Sequence, residues 1–153
     1  MIADEAAMAG LGRLLADEIR PGDIVALSGS LGAGKTTLAR SILQALGHED
    51  EVPSPTFAIL QYYDPPPIRI PVIHADFYRL ESGDELEELG LDLAGDQLLI
   101  AEWAENIGGL AGPATLELRI ERQDASARRV VAHPGVQWVD RWNRIAERIC
   151  KPN

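Results

Sequence analysis

A single cysteine, Cys150, has no second thiol within the chain, which excludes an internal disulfide and a cysteine-built metal cluster. No apolar run approaches the roughly 18 residues that a membrane-crossing helix requires. The first residues, Met1-Ile2-Ala3-Asp4-Glu5, are acidic, without the basic start and apolar block of a secretion signal. The expected location is the cytoplasm, with no membrane partner. Basic residues are also scarce, 14 against 24 acids for a net charge of −10. Nucleic-acid wrapping neutralises phosphates with Lys and Arg, so independent, tight binding of RNA or DNA is not expected. Arg119, Arg122, Arg128 and Arg129 lie close together in sequence and leave room for a local basic patch. What is present suits a folded domain: 46% hydrophobic and 25% charged residues in a chain of 153.

Spacing along the chain predicts an α/β fold. Met8, Leu11, Leu15 and Ile19 recur at helical intervals between Asp4 and Ile19, and Pro21-Gly22 ends that helix. Asp23 to Leu27 reads as a buried strand. Lys35 to Leu46 is again helical, with Leu38, Ile42 and Leu46 on one stripe and Gly47 as a stop. A loop around Ser54, a strand over Phe57 to Tyr63 and an exposed turn at Pro65-Pro66-Pro67 follow. Ile70 to Ala75 and Leu98 to Ala101 are further strands, separated by a short acidic helix at Asp84 to Leu89. The strands Ala114 to Glu121 and Ala127 to His133 form a hairpin about Gln123-Asp124. A last helix over Val136 to Cys150 packs through Val139, Trp142, Ile145 and Ile149. With no repeat and no linker, the expectation is one domain: a central mixed sheet, parallel in its core and antiparallel in its C-terminal strands, flanked by helices.

Gly29-Ser30-Leu31-Gly32-Ala33-Gly34-Lys35-Thr36 has the pattern of a phosphate-binding loop and stands where the mechanism needs it, after a strand and opening a helix. Glycines at 29, 32 and 34 let backbone N–H groups turn inward around phosphates. The helix N-terminus favours anions. Lys35 is placed to reach β- and γ-phosphates, and the Thr36 hydroxyl to ligate magnesium. Hydrolysis also needs an acid near the metal and a group that orients water. Two strands end in carboxylates, Asp76 and Glu102, and either suits the metal. Ser54-Pro55-Thr56-Phe57 fits a segment that senses the γ-phosphate. His74 reads as a structural histidine, Trp103 as core or as a wall of the site, and Glu81 to Glu88 as a solvated helix face.

These residues together resemble the TsaE (YjeE) family of small bacterial P-loop ATPases. The resemblance runs through Leu31 to Thr37, Ser54-Pro55-Thr56-Phe57, His74-Ala75-Asp76-Phe77-Tyr78-Arg79, Glu87-Glu88-Leu89-Gly90 and Glu102-Trp103. It implies that Gly29, Leu31, Gly32, Ala33, Gly34, Lys35, Thr36 and Thr37 bind ATP, with Arg129 near the nucleotide. It implies that Thr36 and Glu102 hold magnesium, that Asp76 supports hydrolysis and that Thr56 acts from the switch segment. Ser54, Tyr78, Arg79 and Trp103 become switch or partner positions. Met8 stands where the family brings a helix hydroxyl towards the base. The implied partners are the TsaD and TsaB subunits, which place a threonylcarbamoyl group on a tRNA adenosine beside the anticodon, tRNA being met only through that complex. Two other readings stand beside it: a small P-loop kinase of a metabolite or nucleoside, and a nucleotide-gated scaffold.

Overall fold

The structure is a computed structural model that describes residues 1–52, 60–80, 95–107 and 110–151. Its chain order is helix α1 (Glu5–Glu18), strand β1 (Ile24–Gly29), helix α2 (Lys35–Ala45), strands β2 (Leu60–Tyr63), β3 (Val72–Asp76), β4 (Leu98–Glu102), β5 (Thr115–Arg122) and β6 (Arg128–Pro134), and helix α3 (Val139–Cys150). The six strands form one sheet in the order β2-β3-β4-β1-β5-β6. The inner four, β3-β4-β1-β5, are parallel. Both edges are antiparallel, β6 as expected and β2 in addition.

Side-chain alternation along the strands divides the core in two. Val25 and Leu27 of β1, Leu98 and Ile100 of β4, and Leu116, Leu118 and Ile120 of β5 pack with Leu11, Leu15, Leu38 and Ile42 of α1 and α2. The intervening residues Ala26, Ile73, Ala75, Leu99 and Ala101 meet Phe77, Leu80, Ile107 and Leu110 on the other face. The inner strands β3 and β4 are buried throughout, as parallel strands covered on both sides must be. Helix α1 starts on Asp4, whose Oδ1 accepts the Ala7 N–H at 2.8 Å.

The C-terminal segment departs from its expected form. A 3-10 turn, Val136–Trp138, precedes α3, and Val136 and Val139 are exposed. The anchor is Trp138, fully buried, with its indole N–H donating to the Ala114 carbonyl at 3.0 Å. The tight turn shifts the buried position by one residue from the one helical spacing indicates. Strand β3 likewise begins at Val72, after Pro71, which has no N–H to give a ladder. The loop at Ser54, residues 57–59 of the predicted strand and the acidic helix at Asp84 to Leu89 lie outside the described residues.

Candidate functional site

Strand β1 ends at Gly29, and the loop that follows delivers Lys35 as the first residue of α2. Gly29 has φ 140° and lies against the Ile120 carbonyl of β5, so any side chain there would collide with backbone. Gly34 stands at the helix N-cap with φ 113°, in the left-handed region that glycine enters without strain. A glycine cap brings no side chain to the first turn of α2. The leading amides and the positive end of the helix therefore meet the cavity directly.

That cavity, about 270 Å3, is lined by Leu31, Gly32, Ala33, Gly34, Lys35, Thr36, Thr37, Asp76, Glu102 and Trp103. A neighbouring cavity of about 430 Å3 shares Gly32, Ala33, Gly34 and Thr37 with it. The second cavity is closed by Asp4, Glu5 and Met8 of the N-terminal segment and by Ala125, Ser126 and Arg128 of the β5–β6 hairpin. The loop thus runs between a small charged recess and a larger recess with Met8 in its wall. A nucleotide has that division, phosphates at one end and base at the other.

The acids converge because of strand parity and register. His74 and Asp76 share one face of β3, Glu102 lies on the same face of β4, and Asp76 pairs in register with Glu102. All three are buried. The Thr36 hydroxyl donates to Glu102 Oε1 at 2.6 Å, and Glu102 Oε2 lies 2.5 Å from His74 Nε2. Asp76 Oδ1 accepts the Tyr78 N–H at 2.9 Å. With its proton committed to Glu102, the Thr36 oxygen keeps lone pairs for a cation. A hydroxyl and buried carboxylates are the hard oxygen donors that magnesium takes alongside substrate phosphates. The residues present fit that ion.

Lys35 bends back over the loop. Its Nζ donates to the Gly29 and Ser30 carbonyls at 2.7 and 2.8 Å and sits 4.1 Å from the centre of the Trp103 ring. Burial pushes its pKa below the ordinary lysine value, opposed by the charges of Glu105, Glu102 and Asp76. An ammonium stripped of water in this way is one that phosphate oxygens stabilise on arrival. Trp103 holds its place under backbone strain: it has φ 59°, the one positive φ outside glycine among the described residues. That conformation turns the chain from β4 into the 3-10 segment Ala104–Asn106. The Tyr78 ring packs on Trp103 at 4.9 Å, so Lys35, Trp103 and Tyr78 stack in sequence at the mouth.

Of the site residues expected from sequence, Leu31 to Thr37, Asp76, Glu102 and Trp103 line one cavity, with Tyr78 beside it and Gly29 beneath Lys35. Arg79 is exposed and outside the lining. Ser54 and Thr56 lie outside the described residues. Arg129 is exposed on one face of β6, whereas Arg128, on the other, donates from Nε to the Ala33 carbonyl at 2.8 Å. Alternation makes the contact Arg128's. Glu105 was not anticipated; its Oε2 accepts the Gly29 N–H at 3.1 Å, bracing the base of the loop. Neither was Asn106, whose Nδ2 donates to the Phe77 and Tyr78 carbonyls and ties the ends of β3 and β4 together. No periodicity marks either residue, because the left-handed turn at Trp103 delivers them.

A family model described as threonylcarbamoyl adenosine biosynthesis protein TsaE matches residues 2–130. The chain is 41% identical over 138 residues to the tRNA threonylcarbamoyladenosine biosynthesis protein TsaE of Streptomyces coelicolor, covering 88% of this chain and 93% of that relative. Against the protein of that name from Rickettsia conorii the identity is 40% over 120 residues, 77% and 67% of the two chains. The crystal structure of Bacillus subtilis YdiB superposes with a TM-score of 0.76 at 26% identity, covering 94% of this chain and 90% of that one.

Proposed function

The chain belongs to the TsaE family of tRNA threonylcarbamoyladenosine biosynthesis, and from that premise we propose that it is the cytoplasmic ATPase of the pathway, acting on a complex of TsaB and TsaD. The observation that carries the reading is the bond from the Thr36 hydroxyl to Glu102 Oε1, which joins the phosphate loop to the end of β4. It sets a metal-binding hydroxyl and a buried acid within one hydrogen bond of each other, beside amides aimed at phosphate.

In this reading the amides from Gly32 to Thr37 and the Lys35 ammonium receive the β- and γ-phosphates, Lys35 leaving its carbonyl partners to do so. Thr36 and Glu102 hold magnesium. When bound, magnesium neutralises charge on the β- and γ-phosphate oxygens. Asp76, oriented by the Tyr78 amide, accepts a hydrogen bond from the attacking water and directs it in line with the bond to be broken. The base rests against Met8 and the Ala125-Ser126 turn, with Arg128 fixing the loop beneath it. Transfer of the threonylcarbamoyl group belongs to the partner subunits. A chain with net charge −10 has little means of gripping tRNA itself, so the complex does the holding.

Leu31 at the loop tip and Tyr78 at the mouth are exposed apolar groups next to the phosphates, where an approaching partner meets them first. Capture of a tagged TsaB–TsaD pair on this chain is expected with ATP and magnesium and to fall at least about 10-fold with neither, a difference of about 1.4 kcal/mol. No capture under either condition overturns the assignment of partners.

A further inference from the structure

We propose that His74 is a positioning residue for Glu102, holding its carboxylate in the orientation that binds the metal; this rests on the ATP–magnesium reading of the site. The ring is fully buried at the centre of β3, a position otherwise suited to an aliphatic side chain like the flanking Val72 and Ile73. Its Nε2 lies 2.5 Å from Glu102 Oε2. An ionised carboxylate only accepts hydrogen bonds, so Nε2 carries the proton and donates it. Nδ1, buried, has no hydrogen-bond partner among the described residues.

A buried nitrogen without a partner costs stability, and an aliphatic residue would avoid that cost. Among the described residues, the ring's polar contact is at the other nitrogen. Glu102 Oε1 is held by Thr36 and Oε2 by His74, so the carboxylate is fixed from both sides and its rotation is blocked. Thr36 holds Glu102 from the first turn of α2, and His74 holds it from the centre of β3. The histidine thus keeps Glu102 aimed at the metal position from within the sheet, as outer hydrogen bonds do for ligating side chains generally.

Two variants separate this role from simple packing. In His74→Gln the amide nitrogen falls near the place of Nε2 and still donates to Glu102. In His74→Asn the nitrogen falls near the place of Nδ1 and does not reach it. Both put a polar amide in the same buried position, so a packing role predicts equal damage from the two. The readouts are Mn2+ affinity, by paramagnetic resonance with ADP present, and binding of a fluorescent ADP analogue with the metal chelated.

The expected result is Mn2+ binding within about 3-fold of wild type for His74→Gln and about 10–100-fold weaker for His74→Asn. Metal-free nucleotide affinity should be alike in all three proteins. Equal Mn2+ affinity in the two variants, whether retained or lost, overturns the proposal. Wild-type protein that binds the nucleotide analogue but takes up no Mn2+ with ADP overturns instead the metal reading on which it rests.

Discussion

Glu102→Gln is expected to lower steady-state phosphate release by about 10²–10³-fold, the range for losing one preorganised charge-stabilising group at a reacting centre. The substitution keeps shape and volume, and the amide oxygen still accepts the Thr36 hydroxyl bond. What disappears is the negative charge against which the metal would be held, together with the Oε2 acceptor of the His74 bond. Nucleotide binding measured without magnesium should change little, because the loop amides and Lys35 hold the phosphates and neither touches Oε2. The variant should therefore accumulate with ATP bound. Unchanged phosphate release by Glu102→Gln would overturn the assignment of Glu102 as a metal ligand.

The second large effect is on stability and lies far from the nucleotide. Asp23 and Arg141 form a two-pronged ion pair at 2.6 and 3.0 Å, with both side chains only 3% exposed. Arg141 also donates to the Glu18 carbonyl at 2.8 Å and lies 3.8 Å from the Trp138 ring centre. Asp23 Oδ2 accepts the Arg20 N–H at 2.7 Å. One pair thus fastens the end of α1, the start of β1 and the helix α3 to each other. Arg141→Leu leaves a buried carboxylate without its cation, which costs about 3–5 kcal/mol. For a domain of this size that is a drop of roughly 6–20 °C in Tm by calorimetry.

Arg148→Ala makes the comparison, because Arg148 and Asp17 are mostly exposed and 3.6 Å apart. Such a surface pair contributes about 0–1 kcal/mol. Adding Asp23→Leu to Arg141→Leu should restore part of the loss, since two apolar groups leave no lone charge behind. Equal melting temperatures for Arg141→Leu and Arg148→Ala would contradict the joint.

Much of this molecule is legible before any coordinates. The strand-loop-helix setting expected for Gly29 to Thr36 is the one found, and it aims loop amides and a helix end at one point, as a phosphate site requires. Short continuous apolar runs locate β3 and β4, as suits strands covered on both faces, and their terminal acids follow. Side-chain alternation alone puts His74 and Asp76 on one face of β3, and Arg128 and Arg129 on opposite faces of β6. What parity does not supply is register: His74 reaches Glu102 only because Asp76, two residues on, is the residue paired with it. Glu105, Asn106 and Trp138 were hidden for a different reason. Each is delivered by a short 3-10 turn, whose three-residue geometry leaves no lasting pattern in the sequence.

The central claim is that ATP hydrolysis at the phosphate loop serves the TsaB–TsaD pair. Its most direct test is phosphate release from ATP by the purified chain, alone and with increasing amounts of that pair, with magnesium and no other acceptor present. Slow turnover alone that rises at least about 10-fold with the pair, and is abolished by Lys35→Ala, is the result predicted. Turnover that ignores the pair, or that survives Lys35→Ala, would contradict it.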